Sequence, residues 1–208
     1  QININLFEII SAIKKRKTHN NIMLPGLGVG GYCLTKDPLF AKISQNQIFK
    51  KKISNFPLST KATEINRKMP NTSINFIKNN YVKKLKAKKI LIFGISYKNE
   101  VGDIRHSPSI DLIKQFIKIK SQCHYFDPFV EKVEISGLKK IYFTNKLKKY
   151  DLIIFAVNHL KFKKLKLDKS IVKKDAYVFD LNNVLTDRQV VKIKKNNINF
   201  YSLGRDLI

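Results

Sequence analysis

Cys33, Lys36 and Asp37 put a thiol, an amine and a carboxylate within five residues, behind the glycines of Pro25-Gly26-Leu27-Gly28-Val29-Gly30-Gly31. A thiol is the side chain here able to carry an acyl group at neutral pH, provided neighbouring charge favours its thiolate, and Lys36 is close enough in sequence to supply that charge. The glycines pose a competing reading. Gly26, Gly28 and Gly31 satisfy G-x-G-x-x-G, a dinucleotide-binding pattern that has meaning only between a buried strand and a helix. Upstream, however, lies the polar run Lys14-Lys-Arg-Lys-Thr-His-Asn-Asn21, and Pro25 would remove a ladder hydrogen bond. The pattern is therefore a decoy, and what remains is a loop whose missing Cβ atoms let a partner approach its backbone closely.

A second concentration of chemistry is Ser96-Tyr-Lys-Asn-Glu-Val-Gly-Asp-Ile-Arg-His106. Lys98 and Arg105 can counter a diphosphate, and Tyr97 can stack on a ring. Asp103 is placed to hold Arg105 rather than to touch a ligand.

The elements that must position these residues follow from periodicity. Ile2, Leu6, Ile9, Ile10 and Ile13 mark a first helix, already under way at Gln1, so further sequence is expected upstream. Residues 39–54 favour helix. Leu58, Ala62, Ile65 and Met69, then Ile74, Ile77, Tyr81 and Leu85, predict a long connecting helix or helix pair, kinked at Pro70. From residue 88 the texture changes. The run Lys89-Ile-Leu-Ile-Phe-Gly-Ile95 is a strand buried on both faces of a parallel sheet. Cys123 to Phe126, Asp151 to Val157, Ala176 to Leu181 and Ile198 to Leu203 are further strands. Between them, 108–119 is the clearest helix, with Ser107 as its cap, Pro108 at its first position and Ile110, Ile113, Phe116 and Ile117 as its buried stripe. Thr186 and Gln189 form a capping box for the last helix. Alternating strand and helix over 86–208 predicts an open, doubly wound α/β domain with a parallel sheet. Its ligand sites lie beyond the carboxyl ends of the strands, where the 96–106 loop falls.

Composition narrows the function classes. The chain has 208 residues and a formal charge of +26, but 36 of its 41 basic residues are lysines spread through every segment. That spread describes a solvated basic surface rather than a nucleic-acid footprint, and no aromatic residues interleave with a basic stripe. Two cysteines, Cys33 and Cys123, lie ninety residues apart, and the four histidines are scattered, which argues against a disulfide framework and against a metal site. Cys123 is expected to be buried on its strand. A reducing cytoplasm fits, and no apolar run is long enough to span a membrane.

Two blocks, Gly-x-Gly-x-Gly-Gly-x-Cys-x-x-Lys-Asp-Pro at 26–38 and Gly-x-x-Tyr-Lys-x-x-x-Gly-Asp-x-Arg-x-Ser-Pro at 94–108, resemble the UDP-glucose/GDP-mannose dehydrogenase family. Glu64-Ile-Asn66-Arg-Lys-Met69-Pro70, Tyr125-Phe-Asp127-Pro128, Asp151 to His159 and Leu203-Gly204-Arg205 support it. The resemblance covers the carboxyl-terminal half of that architecture. It implies a remnant of the helical central domain at 1–85 and a Rossmann-like UDP-sugar-binding domain at 86–208.

By the same resemblance, the activity is oxidation of a UDP-sugar C6 alcohol to the carboxylate in two steps, each using NAD. Cys33 would hold a thiohemiacetal and then a thioester, and Asp37 would orient or deprotonate the hydrolytic water. Leu24, Gly26, Gly28, Gly30, Tyr97 and Lys98 match substrate contacts, while Lys36 and Arg105 match cofactor contacts. A homodimer through the central helix is implied, as is a role in surface polysaccharide synthesis. Without an NAD domain the chain is expected not to turn over alone; a free-standing UDP-sugar-binding module is the alternative. Where the family carries an arginine after the fourth-strand aspartate, this chain reads Asp180-Leu181-Asn182-Asn183. His159 is read as structural or helix-capping.

Overall fold

The computed structural model describes residues 4–50, 55–81, 84–142 and 147–205. Six parallel strands form its centre: β1 Lys89–Phe93, β2 Gln122–Phe126, β3 Leu138–Lys140, β4 Leu152–Phe155, β5 Tyr177–Asp180 and β6 Asn199–Ser202. Their spatial order is β3-β2-β1-β4-β5-β6. Order reverses between β1 and β4, so a crevice opens beyond the carboxyl ends of those two strands. Register is in step across it, with Phe93 beside both Phe126 and Phe155.

The continuous apolar text of β1 is explained by burial on both faces. Ile90 and Ile92 face one core with Ile110, Ile113 and Phe116 of α4 (Pro108–Lys118) and Ile74 and Ile77 of α3 (Pro57–Asn80). Leu91 and Phe93 face the other, with Phe162 and with Val190 and Ile193 of α5 (Asp187–Lys195). The doubly wound α/β architecture is the one expected. The strand β3 was not anticipated: it has three residues, only Leu138 is buried, and it sits at the sheet edge.

Before the sheet come α1 (Leu6–Ile13), α2 (Phe40–Gln47) and α3. Residues 1–3, 51–54 and 82–83, parts of three expected helices, lie outside the described residues. Of the two alternatives, one long helix or a helix pair, the structure has the single helix: α3 runs uninterrupted for 24 residues with Pro70 inside it, and ends at Asn80, short of the expected Leu85. Proline removes one intrahelical bond, but Pro70 is buried and Ile74 and Ile77 beyond it are core residues, so packing carries the helix through.

The capping box is present, with the Thr186 hydroxyl accepting from the Gln189 amide and the Gln189 side chain accepting from the Thr186 amide. The other expected cap needs correction. Ser107 stands at the N-cap of α4 but makes no side-chain cap bond; its hydroxyl donates to the Ser96 carbonyl, 3.2 Å away, tying the helix start to the end of β1.

Candidate functional site

The loop 25–36 lies across the crevice. No strand precedes its glycines and no α-helix follows them directly, so the dinucleotide pattern is a decoy in the fold as in the text. Together with the 96–106 loop it encloses a cavity of about 580 Å³. Cys33, Leu24, Gly28, Gly30, Tyr97, Lys98 and Arg105 all line it, as do Asn158 and Asn182 from the ends of β4 and β5. Residues 74 positions apart, Leu24 and Lys98, thus reach one space.

Three predicted residues stand apart from that lining. Lys36 borders a neighbouring hollow of about 190 Å³ with Val29, Asn66, Arg67 and His106. Its ammonium pairs with Asp37 at 2.8 Å and lies 4.5 Å from the ring centres of Tyr32 and Phe40. The Asp37 hydrogen bond raises the pKa of Lys36, with smaller contributions that include Cys33. Gly26 is the third. A Cβ there would stand 1.8 Å from the Asn182 Oδ1, so the missing side chain makes room for Asn182 rather than for open space.

The remaining glycines read the same way. Gly31, at φ +84°, would bring a Cβ within 2.8 Å of the Tyr97 ring, and its amide donates to the Arg105 carbonyl at 2.9 Å. A Cβ on Gly30 would meet the His106 carbonyl and Tyr97 Cβ, each at 2.7 Å. The two loops are therefore in backbone contact, and glycine is what permits it.

Asp103 does hold Arg105, through Nε at 2.9 Å and Nη2 at 2.6 Å. That hydrogen bond raises the Arg105 pKa. Arg105 also lies 5.7 Å from the Tyr32 ring centre. Cys33 is exposed. Cys123 is buried on β2, and burial pushes its thiol up to about 12.

The floor beneath the cavity was not foreseen. Asp127, fully buried at the end of β2, accepts from the Ile95 and Ser96 amides through Oδ2 and from the Phe129 and Val130 amides through Oδ1. His159 Nε2 lies 3.3 Å from the same Oδ2 and 3.2 Å from Ser96 Oγ. Its Nδ1 accepts the Glu100 amide at 3.0 Å, so the ring hydrogen sits on Nε2. Serine, histidine and aspartate thus cluster, but serine and aspartate share one ring nitrogen and the histidine is fully buried. A proton relay needs them on opposite nitrogens, so this is a strut joining the ends of β1, β2 and β4. The structural reading of His159 fits this arrangement. Burial alone pushes the Asp127 carboxyl up, but hydrogen bonds from His159 and the Ile95 and Phe129 amides outweigh it and hold it below its ordinary value. Asp180 plays a similar part at the end of β5, accepting from the Asn182, Val184 and Leu185 amides. Strand-end Asp-Pro and Asp-Leu-Asn text was the available signal for both.

Among the described residues, no cluster of three or more His, Cys, Asp or Glu could hold a metal ion, and no helix is long and apolar enough to cross a membrane.

Comparison with known proteins agrees with this geometry. The UDP-glucose/GDP-mannose dehydrogenase family matches through its UDP binding domain at 91–187 and its central domain at 1–68. The NDP-N-acetyl-D-galactosaminuronic acid dehydrogenase of Ralstonia solanacearum is 28% identical over 172 residues, 81% of this chain and 38% of its own length. The UDP-N-acetyl-D-mannosamine dehydrogenase of Methanococcus maripaludis is 32% identical over 193 residues, 89% of this chain and 42% of its own. The structure of the UDP-N-acetyl-mannosamine dehydrogenase from Staphylococcus aureus superposes with a TM-score of 0.64 at 27% identity, over 97% of this chain and 43% of that one. The chain thus spans less than half the length of these relatives. Family match, sheet order and the pairing of the cysteine loop with the 96–106 loop lead to one statement: the chain belongs to the UDP-glucose/GDP-mannose dehydrogenase family.

Proposed function

We propose that this chain forms the nucleotide-sugar side of an NAD-dependent dehydrogenase site, oxidising the C6 alcohol of a UDP-sugar to the carboxylate. The observation carrying this reading is the shared cavity, in which the thiol of Cys33 and the ammonium of Lys98 line one space at the strand-order reversal. Lys98 pairs with the diphosphate, Tyr97 and Leu24 pack on the nucleotide sugar, and the backbone at Gly28 and Gly30 approaches the ring. The activities of the relatives suggest a 2-acetamido sugar as the substrate class.

Arg105 spends Nε and Nη2 on Asp103, and its side chain, like that of Lys36, is a cation within electrostatic reach of Cys33. Such an edge fits an anionic cofactor, so Lys36 and Arg105 would border NAD. When bound, NAD supplies the acceptor for the hydrides leaving C6. Cys33 Sγ adds to the C6 aldehyde carbon and retains that carbon as a thioester. Asp37 takes a proton from the water that releases the acid, and Sγ departs as thiolate.

Calorimetric titration of the purified chain with UDP-N-acetylmannosamine tests this. Binding should survive Cys33→Ser and weaken by about 10-fold or more in Lys98→Ala, the usual loss for a hydrogen bond to charge. Absence of binding to any UDP-sugar would refute the reading.

A further inference from the structure

The cysteine loop is gripped by the long helix as well as by the α/β domain. The Val29 amide donates to Asn66 Oδ1 at 2.8 Å, and Asn66 Nδ2 donates to the Val29 carbonyl at 2.7 Å. One side-chain amide therefore satisfies both backbone polar groups of Val29, four residues before Cys33. Leu27 anchors the start of the loop in the sheet core, but beyond it apolar burial adds little, because Val29, Tyr32 and Leu34 are all about half exposed or more. The helix is itself anchored: Ile74 and Ile77 of α3 are in the sheet core, and Met69 Cβ would lie 3.3 Å from a Cβ at Gly28. On the far side, Gly31 hangs from the Arg105 carbonyl.

We propose that Asn66 is a positioning residue that sets where Cys33 stands relative to the bound sugar, by holding the Val29 peptide against α3. The proposal rests on the reading of the cavity as a UDP-sugar site. Asn66 does not touch the ligand; it acts through the loop, as supporting residues do when a reacting group must be held within about half an ångström. The backbone pairing is geometrically demanding. Aspartate at 66 keeps an acceptor for the Val29 amide but sets a carboxylate oxygen against the Val29 carbonyl, and alanine removes both bonds.

The test compares wild type, Asn66→Asp, Asn66→Ala and the control Asn80→Ala. Asn80 bonds the Phe76 carbonyl within the same helix and does not reach the loop. Two readouts are taken: affinity for UDP and for UDP-N-acetylmannosamine, and the slowing of Cys33 alkylation by saturating UDP-N-acetylmannosamine. In wild type and Asn80→Ala the sugar nucleotide should protect Cys33. In Asn66→Ala the affinity for UDP should stay within about 2-fold while affinity for the sugar nucleotide falls about 10-fold, the expected loss for two hydrogen bonds, and protection disappears. Asn66→Asp should fall between the two. A role confined to stability would weaken UDP and the sugar nucleotide equally and would overturn the proposal, as would full protection in Asn66→Ala. No protection and no sugar-nucleotide binding in wild type would remove the cavity reading, and the proposal with it.

Discussion

Replacing Asp127 by Asn changes one atom type at a fully buried position and should be among the most damaging isosteric substitutions in the chain. The carboxylate accepts four backbone amides, two on each oxygen, and shares Oδ2 with His159. An amide keeps one accepting oxygen. Whichever way it turns, its NH₂ faces two backbone N–H groups that have no other acceptor among the described residues, and a buried donor left unpaired costs about 1–3 kcal/mol. Two such donors give a loss on the order of 2–6 kcal/mol, a large part of the stability of a domain this size. Urea unfolding followed by tyrosine fluorescence measures it. The slope with urea should be unchanged and the midpoint should drop. The control is Asp111→Asn, whose exposed carboxylate pairs with Lys114 at 3.8 Å. A midpoint for Asp127→Asn equal to that of the control would refute the strut.

Other expectations follow from the same structure. Cys33 is exposed and the Cys123 thiol is pushed up to about 12, so a disulfide-forming chromogenic reagent should titrate one thiol in the native chain and two in denaturant. Gly26→Ala should destabilise by about 1–3 kcal/mol through overlap with Asn182, and most of that loss should return in the double variant with Asn182→Gly. Asp168 is held at about 2 by the Ser170 hydroxyl and Lys192, and Asp151 lies below its ordinary value because the Lys89 amide and Lys173 outweigh burial. Both are depressed in the folded state, as is Asp127, so their contribution is complete above about pH 4 and is lost as pH falls below it, for Asp168 towards about 2. Acid unfolding in Asp168→Asn should therefore be less steep over that interval.

What the text revealed depended on how local its physics was. The run at 89–95 announced a strand because burial on both faces leaves no polar alternation. The Thr186 box was legible because both partners lie within one turn. The three residues of β3, Leu138-Lys139-Lys140, carry no such pattern, and Ser107 turned its hydroxyl to a strand end that sequence spacing does not bring near. The candidate site divided likewise. Cysteine, glycines and cations could be named from their spacing, whereas the Asp127–His159 strut joins residues 32 positions apart through three strands. Asn66 stood in plain view as part of a motif, but its partner was 37 residues away.

The strut has a consequence for how such a molecule can change. Because β1, β2 and β4 end on a common buried carboxylate and ring, the crevice floor cannot be widened at one strand without disturbing the others. New ligand preferences are therefore accessible mainly through the walls, where Leu24, Lys98 and Asn158 stand on loops. The chain joins an inflexible base to replaceable sides.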